Sequence, residues 1–355
     1  MNSNTVAVYF NDLVIYWSSV MIFCGALAFI TMTFALWKPK NPRSAALGCF
    51  FPLAILFSFL FSRLIHWYFN MEQYAESFGA STFSSIVPAF TRFSVGSYCL
   101  PGVILGICFA AWIVSKLGYV TSAGRLLDFA APGTCLLIFF IRLSALFNGS
   151  FIGKRPVTGI SFLQRLPFCV TVTDTAGNVS YRPAVFFLEA LLILIAFVAL
   201  LSFFYNYRTV KMYYPCRSTG NVWKMFLISY AAIEILTDSL RTDKPLMHFT
   251  FLNKLNAYSA FISIAQVAAL AFLLIVFFSY YVCSIRTNGF RWKHALALLL
   301  FLASLAGFGY FGEYSIQRYG AVLRGYLCMV ISLFVSVLLC RLLYNSCAPE
   351  PDYYD

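Results

Sequence analysis

The chain has 355 residues, of which 61% are hydrophobic and only 11% are charged, and its mean hydropathy is +0.79. A soluble domain carries roughly 25% charged residues, so this composition excludes an ordinary soluble enzyme and indicates a polytopic helical membrane protein. The net charge of +12 does not predict nucleic-acid binding. The basic residues are divided among short loops between apolar runs, which is typical of membrane orientation.

Nine apolar segments are predicted to form transmembrane helices. In chain order they cover residues 12–36, 45–69, 97–117, 125–147, 184–206, 222–240, 255–283, 294–311 and 321–344. These runs are continuous, whereas a membrane β-barrel would show short alternating strands. The predicted fold class is therefore all-α, with the long loop 148–183 containing two β-like runs that are expected to form a small outer cap.

The loops carry Lys and Arg unequally on the two sides of the membrane. Those after spans 1, 3, 5 and 7, together with the C-terminal tail, carry thirteen, whereas the short loops on the opposite side carry six. The positive-inside rule then predicts an N-terminus outside and a C-terminus in the cytoplasm.

In this orientation, six ionisable side chains within the predicted spans lie near the outer leaflet. They are Arg63, His66, Arg142, Glu189, Glu234 and Asp238. Any one of them could snorkel or pair with a neighbour for purely structural reasons. Six at one depth favour a shared polar site, and because the planar arginine fork suits phosphate or carboxylate, the residues predict a site for an anion or a lipid head group.

Span 4 contains the most informative motif, GRLLDFAAPGTCLLIFFIRLSALFNGSFIG at residues 124–153. Its spaced residues are Asp128, Pro132, Arg142, Asn148, Gly149 and Gly153. Their spacing resembles the D-x-x-x-P and G-R-x-G-N-F-x-N-G-E signature of the bacterial prolipoprotein diacylglyceryl transferases. Five other segments resemble that family in the same order: LVIYWSSVM (13–21), FSRLIHWYF (61–69), RPAVFFLEAL (182–191), EILTDSLRTD (234–243) and SIAQVAAL (263–270).

The resemblance covers about residues 10–283 and implies a membrane enzyme of lipoprotein biosynthesis in the bacterial inner membrane. Such an enzyme moves the diacylglyceryl group of phosphatidylglycerol onto the thiol of a lipobox cysteine in a secreted precursor. The partners it implies are phosphatidylglycerol or another anionic phospholipid and the precursor protein, with no cofactor or metal. Residues 284–345 are expected to add two helices to a seven-span core, as a partner-docking or dimer surface without chemistry, before a cytoplasmic tail at 346–355.

The chemistry needs a cation to stabilise the leaving phosphate and a base to form the nucleophilic thiolate. The resemblance assigns the phosphate to Arg142 and places Asp238 at an acidic position of span 6, so both are predicted to be catalytic residues. The predicted substrate-binding residues are Arg63, Asn148, Gly149, Gly153, Glu189, Glu234 and Arg241.

Several family positions are altered. In YCLPGVILG (98–106), Pro101 stands where the family has a histidine, so His66 or His248 becomes the candidate general base. Ala145 and Ser150 replace an asparagine and a glutamate, and Glu234 replaces an arginine.

These changes leave two interpretations open. In one, a rebuilt site still transfers the diacylglyceryl group; in the other, a degenerate member binds phospholipid or lipopeptide without transfer. A secondary transporter of an anionic solute would also explain buried charges, although the sequence shows no internal repeat.

Overall fold

The computed structural model describes residues 6–10, 13–37, 45–78, 84–91, 99–157, 164, 167–173, 178–209, 219–242, 246–248, 260–320 and 322–347. Its helices are α1 (Trp17–Trp37), α2 (Ala45–Phe69), α3 (Met71–Phe78), α4 (Ile86–Thr91), α5 (Leu100–Lys116), α6 (Ala123–Asn148), α7 (Val185–Thr209), α8 (Asn221–Asp238), α9 (Ile264–Asn288), α10 (Trp292–Ala306), α11 (Ser315–Tyr319) and α12 (Val322–Ser346). A π-helical segment, Gly307–Tyr314, joins α10 to α11.

Antiparallel hairpins accompany the helices. They pair β1 (Val6–Phe10) with β2 (Leu13–Tyr16), β3 (Cys169–Thr173) with β4 (Val179–Pro183), and β5 (Leu246–His248) with β6 (Ala260–Ser263). The β3–β4 hairpin confirms the β-like runs predicted in the long loop.

Each of the nine predicted segments contains a helix, and the chain is a polytopic helical membrane protein. Seven helical segments of the described chain are long and apolar enough to cross a membrane, and one of them, Trp292–Tyr319, consists of α10, the π-helical segment and α11 together. Of the other two segments, α5 is apolar but shorter, and α8 carries three charged residues, Lys224, Glu234 and Asp238.

The predicted starts of the first and seventh spans were wrong. Residues 13–16 form β2, and α1 begins at Trp17. Residues 260–263 form β6, and α9 begins at Ile264 after a Ser263 N-cap. In both places an apolar run includes a strand before its helix, and hydropathy alone does not distinguish the two.

The described chain divides into two compact units. The Asp128 unit comprises residues 29–134 and 219–223, and the Arg142 unit comprises residues 1–28, 135–218 and 224–355.

Within the Asp128 unit, α2 and α5 cross at very close range. A Cβ atom on Gly102 or Gly106 would collide with the backbone at Ser62 or Ser58, respectively. The Ser58 hydroxyl also donates a 3.1 Å hydrogen bond to the Val103 carbonyl. Small residues four apart allow helices to approach in this way in membranes. The two glycines that persist beside the altered histidine position therefore have a packing role.

Asp128 fixes the start of α8. Its Oδ2 accepts a 2.7 Å hydrogen bond from the Gly220 amide, and its Oδ1 accepts a 3.0 Å bond from the Trp223 amide. The first amides of a helix lack intrahelical partners, and a carboxylate there also complements the helix dipole. The aspartate of the span 4 motif thus caps the first turn of α8.

Candidate functional site

The predicted site residues divide between the two units. Those of the Arg142 unit are Arg142, Asn148, Gly149, Gly153, Glu189, Glu234, Asp238 and Arg241. Arg63 and His66 belong to the Asp128 unit.

In the Asp128 unit, Arg63 is fully buried on α2 and His66 is partly buried one turn later. The His66 Nδ1 atom lies 3.1 Å from the Tyr74 hydroxyl of α3, with the two rings packed edge to face. The imidazole is therefore held in place by a hydrogen bond, and its role as a general base stays a prediction. His248 lies in β5, and its role likewise stays a prediction.

Arg142 is bound by two carboxylates from two other helices. Its Nε lies 2.5 Å from Glu189 Oε1 on α7, and its Nη2 lies 2.6 Å from Glu234 Oε2 on α8. All three side chains are at most 3% exposed. A buried charge is tolerated when it is paired and hydrogen-bonded, so the glutamate at the family's arginine position compensates Arg142. With all three groups ionised, this triad carries one surplus negative charge.

A second ion pair lies at the end of α8. Arg241 Nη1 is 2.7 Å from Asp238 Oδ1, and the Ser263 hydroxyl donates to Asp238 Oδ2. Ser263 also accepts a 3.1 Å bond from the Gln266 amide, and Gln266 Oε1 accepts a 3.0 Å bond from the Ser263 amide. This reciprocal capping box ties the start of α9 to the Asp238 carboxylate.

Phe151 connects the two arginines. Its ring centroid lies 4.3 Å from Arg142 Cζ and 3.6 Å from Arg241 Cζ, so both guanidinium groups make cation–π contacts with one ring. Phe151 also has a φ of 59°, which is uncommon for a residue other than glycine and marks a constrained position. Sequence reasoning missed Phe151, although its place directly after the Asn-Gly turn was a usable signal.

The Asn-Gly motif shapes the loop that carries this ring. Gly149 ends α6 with a φ of 68° and donates a 3.0 Å bond to the Ala145 carbonyl. Asn148 Oδ1 accepts bonds of 3.1 and 2.6 Å from the Ser150 amide and hydroxyl. Asparagine commonly closes turns through such local bonds. The motif therefore directs Phe151 and the following residues toward the two ion pairs.

Gly153 allows this loop to pair closely with its neighbours. A Cβ atom there would lie 2.8 Å from the Pro183 ring, and its amide donates a 2.8 Å bond to the Pro183 carbonyl. The Gly153 backbone also bridges that of Arg241. The final glycine of the motif thus sets the position of the second arginine.

The β3–β4 hairpin packs against the same region. Val170 and Ala184 form a buried cluster with Ala145 and Phe186, and Phe151 packs against it. The hairpin is therefore anchored to the loop that carries the cation–π contacts.

The C-terminal helices contribute a carboxylate that the sequence reasoning overlooked. Glu313, in the π-helical segment, is fully buried. Its Oε2 accepts bonds from the Ser239 hydroxyl and, at 3.2 Å, from Gln266 Nε2. Glu313 thereby joins the hydrogen-bond network around Asp238, and the expectation that residues 284–345 take no part in the chemistry stays a prediction.

Together these features define a polytopic membrane protein whose helices enclose paired arginines and carboxylates beside a β-hairpin. The sequence model of the prolipoprotein diacylglyceryl transferase family matches residues 5–282, and the chain belongs to this family. The match ends within α9, before α10 and α12.

Curated relatives agree with this assignment. The chain is 26% identical over 248 residues to a phosphatidylglycerol–prolipoprotein diacylglyceryl transferase of Dehalococcoides mccartyi (strain CBDB1). The alignment covers 68% of this chain and 84% of that protein. It is 25% identical over 242 residues to a protein of the same name from Oceanobacillus iheyensis, covering 67% of this chain and 77% of that protein.

Proposed function

We propose that the chain is a phosphatidylglycerol–prolipoprotein diacylglyceryl transferase with a divergent site. The observation that carries this proposal is the burial of Arg142 and Arg241 around one aromatic ring, within a chain that matches the family over residues 5–282. In the reaction, a cysteine thiolate of the precursor attacks the carbon of the diacylated glycerol that carries the phosphate ester. The carbon–sulfur bond forms, the carbon–oxygen bond breaks, and glycerol phosphate leaves with the electron pair.

The charged groups of the Arg142 unit have separate roles in this reaction. Arg142 and Arg241 hold the leaving phosphate and stabilise the charge that develops on it, which is the usual task of such donors. Asp238 orients Arg241 through their 2.7 Å pair. The thiol proton needs a base, for which His66 and His248 stay the candidates. A phosphate can reach Arg142 when Glu189 or Glu234 gives up its contact, and uptake of a proton by either carboxyl group would release the guanidinium.

A second candidate is binding of phospholipid or lipopeptide without transfer. The pairing of Arg142 with two glutamates favours it, because an arginine already paired with carboxylates binds a phosphate less readily. Pro101, buried in the first turn of α5, favours it too, because a proline has no group that could take a proton.

Complementation separates the two candidates. Cells depleted of their own transferase would express this chain and a lipobox precursor, and the mass of the precursor would be measured. A precursor that gains a diacylglyceryl group on its cysteine supports transfer. An unmodified precursor, with the protein well expressed and binding phosphatidylglycerol, supports the second candidate. An expressed protein that does neither overturns both.

The proposal extends to the membrane and its orientation. The chain would lie in the bacterial inner membrane with its N-terminus outside and its C-terminus in the cytoplasm, so that the site meets secreted precursors. Reporters fused to each terminus test this orientation, and a C-terminal reporter that is active only outside the cytoplasm would contradict it.

A further inference from the structure

The helices beyond the family match, α10 to α12, are attached to the site by specific polar contacts. Arg155 Nη2 donates a 3.1 Å bond to the Gly320 carbonyl, and the Tyr326 hydroxyl donates a 3.2 Å bond to the Leu236 carbonyl of α8. Arg155 follows Gly153 in the loop that carries Phe151. The extension, residues 289–347, therefore contacts the elements that hold both arginines.

Glu313 is the innermost polar group of this extension. Its Oε1 accepts a 2.8 Å bond from Gln317 Nε2, so both carboxyl oxygens have donors. Gln266 Nε2 also lies 2.9 Å from the Ser239 hydroxyl, which closes a compact set of bonds among Glu313, Gln266 and Ser239. Both donors also reach the Ile235 carbonyl, at 3.1 and 3.3 Å. Glu313 is the carboxylate acceptor that the two side chains share, and its loss would weaken the bonding of both.

The same bonds lead from Glu313 to Arg241. Gln266 forms the capping box with Ser263, and Ser263 donates to Asp238, which holds Arg241. Ser239 is the next residue after Asp238. Glu313 is thus connected to Asp238 by two routes. One runs through Ser239, the next residue in the chain, and the other runs through the side chains of Gln266 and Ser263.

The backbone around Glu313 is also unusual. Residues 307–314 are π-helical, a conformation that is rare and found mostly as short bulges, frequently at functional sites. A π turn contains an additional residue compared with an α turn, which changes the direction of the side chains that follow. Here it is the segment from which Glu313 reaches Ser239 and Gln266.

We propose that Glu313 is a positioning residue for the lipid site and that the C-terminal extension is an integral part of that site. By holding Ser239 and Gln266, it fixes Asp238 and thereby presents the Arg241 guanidinium to the phosphate of the bound lipid. This inference rests on the proposed function for the identity of the ligand, the phosphate of phosphatidylglycerol.

The test measures binding of labelled phosphatidylglycerol to the purified full chain in nanodiscs. Glu313→Ala should weaken binding about tenfold, the change expected from loss of about 1.4 kcal/mol. Glu313→Gln, which keeps an acceptor for Ser239 and Gln266, should restore most of the affinity. Ser336→Ala is the matched control, because Ser336 is a buried, hydrogen-bonded residue of the same extension that bonds Ser304 instead.

A double-mutant comparison separates positioning from general destabilisation. In an Arg241→Ala background, Glu313→Ala should cause no further loss of binding, because its effect passes through Arg241. An equal additional loss in that background, or binding by Glu313→Ala equal to that of Ser336→Ala, overturns the inference.

If the wild-type chain does not bind phosphatidylglycerol, the proposed function fails. The thermal unfolding temperatures of the wild type, Glu313→Ala, Arg241→Ala and the double variant then decide the inference. A double variant no less stable than its weaker parent supports the coupling of Glu313 to Arg241. Fully additive losses overturn it.

Discussion

Replacement of Arg142 by alanine tests the pairing that lies at the centre of the site. The substitution leaves Glu189 and Glu234 facing each other with side chains at most 3% exposed and without their shared cation. Two buried carboxylates cannot both stay ionised in such surroundings, so the folded state must take up a proton or unfold.

The expected cost follows from the geometry. At a charge separation of about 4 Å and an effective dielectric constant of about 20, each ion pair contributes about 4 kcal/mol of attraction. Proton uptake by one carboxyl group recovers part of that energy. Removal of one partner of a buried pair typically costs about 3–5 kcal/mol, and we expect Arg142→Ala to destabilise the fold by that amount.

The assay is equilibrium unfolding in mixed micelles, with Glu189→Gln/Glu234→Gln as the companion background. In that background neutral amides replace the two carboxylates and need no cation, so Arg142→Ala should cost at least about 2 kcal/mol less than in the wild type. An identical cost in both backgrounds would mean that Arg142 stabilises the fold by its packing and that the ion pairs add nothing.

Three further outcomes are expected. Glu234→Gln should raise the affinity for phosphatidylglycerol at least about tenfold, because the negative charge of Glu234, about 6 Å from the phosphate, opposes binding by about 3 kcal/mol at a dielectric constant of about 20. Unchanged or weaker binding in titrations of nanodiscs would contradict this prediction. Gly106→Ala should destabilise the chain by about 1–3 kcal/mol, because its Cβ atom meets the Ser58 backbone. The control Gly48→Ala on α2, with nothing within 4 Å of its Cβ atom, should be neutral or stabilising. Equal unfolding free energies for the two variants would refute the close crossing of α2 and α5. Asp128→Ala should lower the free energy of unfolding by about 1–2 kcal/mol, because it removes the cap of α8, and hydrogen exchange of the Trp223 amide should accelerate. Unchanged exchange at Trp223 would show that Asp128 is not the cap.

Much of the fold was accessible from the sequence, because hydropathy dominates the structure of a membrane protein. Each of the nine predicted segments contains a helix, and the pattern of motifs led to the family. The charged positions were also informative, since Arg142, Glu189 and Glu234 were predicted to share a site and they form one ion cluster.

The partners within that cluster were less predictable. The motif predicted that Arg142 binds a lipid phosphate. It could not predict that two glutamates, from α7 and α8, form ion pairs with the Arg142 guanidinium, because those contacts join residues 47 and 92 positions apart in the sequence. Glu313 was missed for another reason. It lies in an apolar segment beyond the family resemblance, and its burial depends on a π-helical turn that no simple periodicity predicts.

Transfer by the purified chain tests the proposed chemistry most directly. Vesicles containing the protein and phosphatidylglycerol would be mixed with a lipobox peptide, and the peptide mass would be recorded for the wild type and for Arg142→Gln/Glu189→Gln/Glu234→Gln, a variant that keeps a neutral hydrogen-bonded cluster. We expect the wild type to add one diacylglyceryl group to the cysteine and the variant, although folded, to add none. A folded wild type that leaves the peptide unmodified, or a variant that modifies it equally well, would contradict the proposed transferase site.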